Sequence, residues 1–310
     1  GNAVSEPNGK ANNSLESATT LAVSLSPAAT LTASGVSFTG SPVIGQTLVV
    51  SWTVTNTGQL TATPPTGGWT DKIYLSTDGT LANATFLANA PHVNALAPNA
   101  SYLGSIQVTL PALTDGSYQI LVFADANSQV FTRSPSSTRL AASGTLSLTH
   151  PDLVVTGITL PTGSIQSGQT ITLNWTGQNN GTAPVTGSFV DVVYLSTTTS
   201  VPAGATPLAN FVHSGTLGLG GTYNGTATFT LPNGLSGAYR LIVVTNATGA
   251  IIEGAASAND TTASAPFSIA LAPYADLAVS NVTAPTQVVG DPVDLAVSWT
   301  VTNNGTGAGT

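Results

Sequence analysis

Ser51-Trp52-Thr53-Val54-Thr55-Asn56-Thr57-Gly58 is an alternating run of β-branched, aromatic and polar residues that ends on a turn-forming Asn-x-Gly. It returns as Asn174-Trp175-Thr176-Gly177-Gln178-Asn179-Asn180-Gly181 and again as Ser298-Trp299-Thr300-Val301-Thr302-Asn303-Asn304-Gly305. The tryptophans stand 123 and 124 residues apart. Other landmarks keep nearly the same step. Asp71-Lys72-Ile73-Tyr74-Leu75-Ser76-Thr77 matches Asp191-Val192-Val193-Tyr194-Leu195-Ser196-Thr197, and Leu110-Pro111 with Gly116-Ser117-Tyr118 matches Leu231-Pro232 with Gly237-Ala238-Tyr239. Several independent landmarks at one period define a tandem array.

Working outward, each unit reads as β throughout. Leu153-Val154-Val155, Thr170 to Trp175, Phe189 to Leu195, Thr226 to Leu231 and Tyr239 to Val244 are short β-branched or aromatic runs separated by Gly, Pro, Asn and Ser clusters. About seven such strands in about 120 residues predict an all-β chain of tandem immunoglobulin-like β-sandwiches with Greek-key connections. Glycine and proline recur too densely for long helices. The repeat places closing strands of a preceding unit at 1–26, full sandwiches at 27–149 and 150–272, and the opening strands of a further, incomplete unit at 273–310. Glu6 with Asn12-Asn13 lines up with Glu253 and Asn259-Asp260, which is why the first residues read as the end of a unit. On this reading Trp52, Trp175 and Trp299 plug the core between sheets, and Tyr118 and Tyr239 are corner residues bonding a loop.

Composition narrows the function. Charged residues are 6% of the chain, far below the roughly 25% of an ordinary soluble domain, so Thr, Ser, Asn and Gly must carry the surface. The net charge is −8, and the five cations Lys10, Lys72, Arg133, Arg139 and Arg240 are scattered. Such a surface does not neutralise a phosphate backbone, which excludes nucleic acid as a partner. No apolar run approaches a membrane span. With no cysteine there is neither a disulfide framework nor a thiolate metal site.

The residues above resemble the CARDB family, the cell-adhesion-related domain of bacteria. The resemblance rests on the openings Asp152-Leu153-Val154-Val155 and Asp276-Leu277-Ala278-Val279, the Trp-Thr-Val-x-Asn-x-Gly strand, Val193-Tyr194-Leu195-Ser196, the Gly-x-Tyr late strand and the closing Glu with Asn-Asn. The first full unit departs from it, with Thr30 at the opening acidic position and Ser137-Thr138-Arg139 in place of the Asn pair. The resemblance implies a seven-stranded sandwich found in tandem in large exported bacterial proteins, generally without catalytic function.

No catalytic constellation assembles from the sequence. His92, His150 and His213 read as single residues in loops or at a junction, and no nucleophile elbow or phosphate loop is present. No enzyme and no cofactor are expected. Ca²⁺ is the cation with candidates, Asp71, Asp78, Glu253, Asp260 and Asp276. Asp78 becomes Thr198 in the next unit, and Asp276 corresponds to Thr30, so solvated loop acids are the preferred reading. The expected function is a structural component of a bacterial extracellular or cell-surface assembly, a filament, sheath or stalk. The alternative is an adhesin whose loops bind a glycan or protein receptor, with Trp69 as the exposed contact. Expected partners are copies of the chain or neighbouring repeats, joined by strand complementation through the part-domains.

Overall fold

A computed structural model describes residues 16–24, 26–133 and 135–308. They fall into two compact units: the described residues of 1–38, 50–106 and 119–144, and those of 39–49, 107–118 and 145–310. Residues 16–24 carry no strand, and the rest of the closing strands expected at 1–26 lies largely outside the described residues.

The first repeat has seven strands: β1 (Leu31–Thr39), β2 (Thr47–Asn56), β3 (Trp69–Ser76), β4 (Thr85–His92), β5 (Ser101–Thr109), β6 (Gly116–Phe123) and β7 (Leu140–Leu148). They form one sheet of order β1-β2-β5 and one of order β4-β3-β6-β7, the chain crossing between sheets after β2, β4 and β5. The second repeat repeats the plan with β8 (Leu153–Thr159), β9 (Ile165–Gln166), β10 (Thr170–Asn179), β11 (Val185–Ser196), β12 (Ala209–Leu217), β13 (Thr222–Thr230), β14 (Gly237–Val244), β15 (Thr261–Ala263) and β16 (Phe267–Ala270). Its sheets run β13-β10-β8 and β12-β11-β14-β16-β9, with β15 also on β14. Beyond them, β17 (Leu277–Thr283) and β18 (Ser298–Asn303) pair antiparallel. Among the described residues the helices are short, including α1 (Ser136–Arg139) and a 3-10 turn at Gly254–Asn259, and none is long and apolar enough to cross a membrane.

Period-2 alternation sets the core. In β2, Leu48, Val50, Trp52, Val54 and Asn56 are buried; in β10, Ile171, Leu173, Trp175, Gly177 and Asn179 are. The opposite face of β10 is a threonine ladder, Thr170 on Thr230 at 2.9 Å and Thr172 on Thr228 at 2.8 Å between hydroxyls. Cross-strand hydroxyl pairs of this kind support the sheet without charge, which accounts for a soluble face built from so few ionic residues.

Trp52 and Trp175 each lie across a neighbouring strand and require a glycine there. Trp175 stands opposite Gly225, where a Cβ would come within 2.0 Å of the indole, and at Gly104 it would come within 2.1 Å of Trp52. Gly157, in β8, has nothing within 4 Å of its Cβ direction. Gly225→Ala should therefore cost about 1–3 kcal/mol by overpacking. Gly157→Ala should be neutral or stabilising by about 0.5 kcal/mol through reduced freedom of the unfolded chain. Urea denaturation of the two variants checks this opposition of sign.

Candidate functional site

The feature the two repeats share most closely is a buried carboxylate between the sheets. Trp69, Asp71, Ile73 and Leu75 alternate inward along β3, so Asp71 points at the opposite sheet although its side chain is ionisable. Burying a lone carboxylate is prohibitive unless donors meet it. Trp52 Nε1 donates to Asp71 Oδ2 at 2.9 Å, Tyr102 Oη donates to the same oxygen at 2.6 Å, and the backbone N–H of Asp125 donates to Oδ1 at 3.0 Å. Burial pushes the Asp71 carboxyl up, and these donors pull it down. Burial, reinforced by the Asp71 charge, holds the Tyr102 hydroxyl well above the ordinary tyrosine range.

The second repeat builds the same group on one carboxylate oxygen, leaving Asp191 Oδ1 buried without a partner. Trp175 Nε1 donates to Asp191 Oδ2 at 2.8 Å, and Tyr223 Oη donates to that oxygen at 2.7 Å while lying 3.0 Å from Thr245 Oγ1. A histidine joins each constellation. His92 stacks on Tyr102 with ring centroids 3.7 Å apart, and His213 lies 5.0 Å from Tyr223. Both present a buried Nε2 with no hydrogen-bond partner, and burial lowers the pKa of His92.

Three expectations are corrected here. His92 and His213 are not loop residues: they sit on β4 and β12 at matching positions, opposite Trp69 and Phe189. Trp69 is not an exposed contact. It is fully buried, donates Nε1 to Tyr102 Oη at 3.2 Å and has Phe189 as its counterpart. Trp299, expected in a core, is 58% exposed, because among the described residues β18 pairs only with β17. Trp52 and Trp175 lie in the core, Tyr118 donates to the Thr114 carbonyl at 2.9 Å, and Tyr239 packs half-buried against the second core.

The Asn of the motif clamps the end of its strand. Asn179 Oδ1 accepts from the N–H of Asp152 and of Gly181, while Nδ2 donates to the carbonyls of Ala183, Leu217 and Gly218. Asn56 and Asn303 repeat the acceptor half, each with the N–H of the residue two positions on and of an opening-strand residue, Thr30 or Asp276. The following glycine is obligatory for space: a Cβ on Gly181 would lie 2.4 Å from the His150 carbonyl oxygen.

Of the acids expected as Ca²⁺ candidates, Glu253 and Asp260 lie near one another and the others apart. Asp71 belongs to the core group, and exposed Asp78 caps its own turn, its Oδ1 accepting from Ser76 and from both N–H and hydroxyl of Thr80, bonds to Thr80 that lower its pKa. Glu253 is buried, accepting from the Leu153 N–H and, at 2.7 Å, from Asn246 Nδ2; burial raises its pKa. Asp276 is exposed. Among the described residues no group of three or more acids and histidines is placed to hold a metal ion.

Asp260 stands where the first repeat has Arg139, each offering its carbonyl to the N–H after the late strand, Thr245 or Ala124. Arg139 donates Nη1 to the Asp125 carbonyl at 2.7 Å, 3.6 Å from the Asp125 carboxylate, while its Nε is buried without a partner. Asp260 has a buried Oδ1 without a partner. Burial, with the charges of Glu253, Asp152 and Asp191, pushes its carboxyl up to about 8.

Sequence reading missed Tyr102 and Tyr223 although the signal was present: Tyr-x-Gly recurs at Tyr102-Leu103-Gly104 and Tyr223-Asn224-Gly225.

Residues 150–263 match the CARDB family model. Among solved structures, the CARDB domain of a Pyrococcus furiosus protein in solution matches 40% of this chain and 98% of its own at 20% identity, TM-score 0.30. A crystal structure of that domain, described as a complex with di-metal ions, matches 40% of this chain and 96% of its own at 20% identity, TM-score 0.30. Red sea bream transglutaminase matches 76% of this chain and 31% of its own at 11% identity, TM-score 0.27. No curated protein matches the sequence.

Two variants test the site. Asn179→Ala strands several buried carbonyls and N–H groups at once and should cost about 3 kcal/mol in denaturant unfolding. Asp260 has a raised folded-state pKa, so its contribution is present below its unfolded value near 3.8 and is lost as pH rises through about 8. Asp260→Asn should therefore melt higher than the parent at pH 8, the difference vanishing below pH 4; calorimetric scans across that range read it.

Proposed function

Residues 150–263 are a CARDB domain, and from that premise we propose that the chain is a structural component of a bacterial extracellular or cell-surface assembly, a filament, sheath or stalk. The observation that carries this reading is the recurrence of one polar key, Trp52-Asp71-Tyr102 and Trp175-Asp191-Tyr223, in consecutive repeats. A frame that is duplicated rather than varied suits a part whose job is to be stacked. The buried carboxylates of Asp71 and Asp191 and the indoles of Trp52 and Trp175 are engaged in holding sheets together, which supports a part without catalytic role and without resident cofactor. A surface carried by uncharged hydroxyl side chains suits exposure outside the cell.

The β17–β18 ladder supports a contact with further repeats. Leu277, Val279, Trp299 and Val301 are at least half exposed there, whereas Leu153, Val155 and Trp175 at the matching positions are buried. On this reading, strands of another repeat, in this protein or in a neighbouring copy, cover that face.

Negative-stain electron microscopy of the native material tests the proposal. Ordered filaments or sheaths with an axial spacing set by the repeat are expected. Isolated flexible beads would overturn an ordered filament or sheath, and material confined to the cell interior would overturn the extracellular assignment.

A further inference from the structure

The outer face of β3 and β4 holds a groove of about 560 Å³. It is built from three neighbouring cross-strand pairs, Tyr74 with Phe86, Lys72 with Asn89 and Thr70 with Pro91, and Asn127 closes one end. Because Trp69, Asp71, Ile73 and Leu75 are committed to the core, alternation turns Thr70, Lys72 and Tyr74 outward. A register shift between Ile73 and Tyr74 brings Phe86 opposite Tyr74. The two rings meet edge to face at 5.7 Å, with Phe86 50% exposed.

The polar side chains of this groove are unspent. Those of Lys72, Asn89 and Asn127 make no hydrogen bond or ion pair with the described residues, whereas Arg139 and Arg240 are bound to protein carbonyls. In the second repeat Val192 pairs with Asn210 and Val190 with Val212, without a cation, and Tyr194, at the place of Tyr74, lies beyond the last pair of that ladder, Val193 with Ala209. The groove is therefore a departure from a frame otherwise kept in register.

The chemistry selects the occupant. β3 is paired on both sides by β4 and β6, and β4, which ends the sheet, turns its free backbone groups sideways, so an extended peptide lying over this face gains no strand hydrogen bonds. An exposed ring offers a flat apolar surface to the C–H face of a pyranose, carboxamides bond hydroxyl groups in both senses, and an uncompensated ammonium attracts a carboxylate. We propose that this groove binds a short stretch of acidic polysaccharide, with a uronate carboxylate on Lys72, a sugar face on Phe86 beside Tyr74, and hydroxyl groups on Asn89 and Asn127. The assignment gives the extracellular reading a ligand, and it is read by binding rather than by microscopy, so either fails without the other.

Isothermal titration of the full chain with galacturonate oligomers, and with neutral xylan oligomers as comparison, decides it. Galacturonate binding should weaken about tenfold in Phe86→Ala and in Lys72→Gln, fall with added salt and persist in Val212→Ala. Because Phe86 and Lys72 lie outside the core, melting curves of both variants should overlay the parent, confirming that the frame is intact. Absence of binding by galacturonate and mannuronate oligomers alike, binding of neutral oligomers that equals that of the uronates, or affinities unchanged in both variants would overturn the proposal.

Discussion

An ionisable carboxylate facing an indole across the middle of a β-sandwich is the constraint on which the rest of each repeat depends. Asp71 belongs to one sheet, and its donors Trp52 and Tyr102 to the other. A core of aliphatic side chains tolerates some sliding, because its attractions have no direction. A carboxylate oxygen with donors at 2.9 and 2.6 Å does not. Slipping β3 by one residue would turn Asp71 to solvent and drive Thr70 or Lys72 inward, leaving an indole N–H and a phenol without acceptors. The price of burying charge is met here by specificity of register. The glycines follow from the same contact, since an indole laid flat over the neighbouring strand leaves no volume for a Cβ at Gly104 or Gly225.

The part of this arrangement legible in the sequence was the part written in apolar periodicity. Trp-Thr-Val-x-Asn-x-Gly gave a strand with an inward Trp, and β2 and β10 have that form. The partner of the Trp was hidden by chemistry: an aspartate beside a lysine reads as surface, although alternation from Trp69 through Ile73 already turned it inward. Matching residues by identity also hid that Trp69 and Phe189 are the same position, and with it the pairing of both with a histidine. Trp299 shows the limit of a strand motif taken alone. Burial belongs to a packed pair of sheets, and in β18 the same letters stand exposed.

One difference between the repeats is of charge, at a corner buried in both. The residue whose carbonyl accepts the N–H following the late strand is Arg139 in one and Asp260 in the other. Arg139 lays its guanidinium 5.0 Å from the Phe123 ring and bonds the Asp125 carbonyl. In the second repeat Asn246 replaces Asp125, and its amide donates to Glu253 and to the Ile251 carbonyl. Glu253 in turn accepts the N–H of Leu153 on the opening strand. One repeat closes this corner with a cation, the other with a carboxylate bound by amides. The second solution buries Asp260 beside other acids, and its raised pKa follows from the burial first and from the charges of Glu253, Asp152 and Asp191 second.

Division of labour between the two faces of a strand explains how one scaffold serves both as spacer and as carrier of local variation. The inward residues of β3 and β11 are tied to the same key, so substitutions there are felt by both sheets at once. Outward residues answer only to solvent and to their cross-strand neighbour. Thr70 and Val190 occupy one such position, both partly exposed, whereas Lys72 has the buried Val192 as its counterpart. An array can therefore change its outer face repeat by repeat without renegotiating its core. The sparse charge of the chain sharpens the point: on a surface of hydroxyl and amide groups, a single unpaired ammonium beside an exposed ring is a large local departure in chemistry.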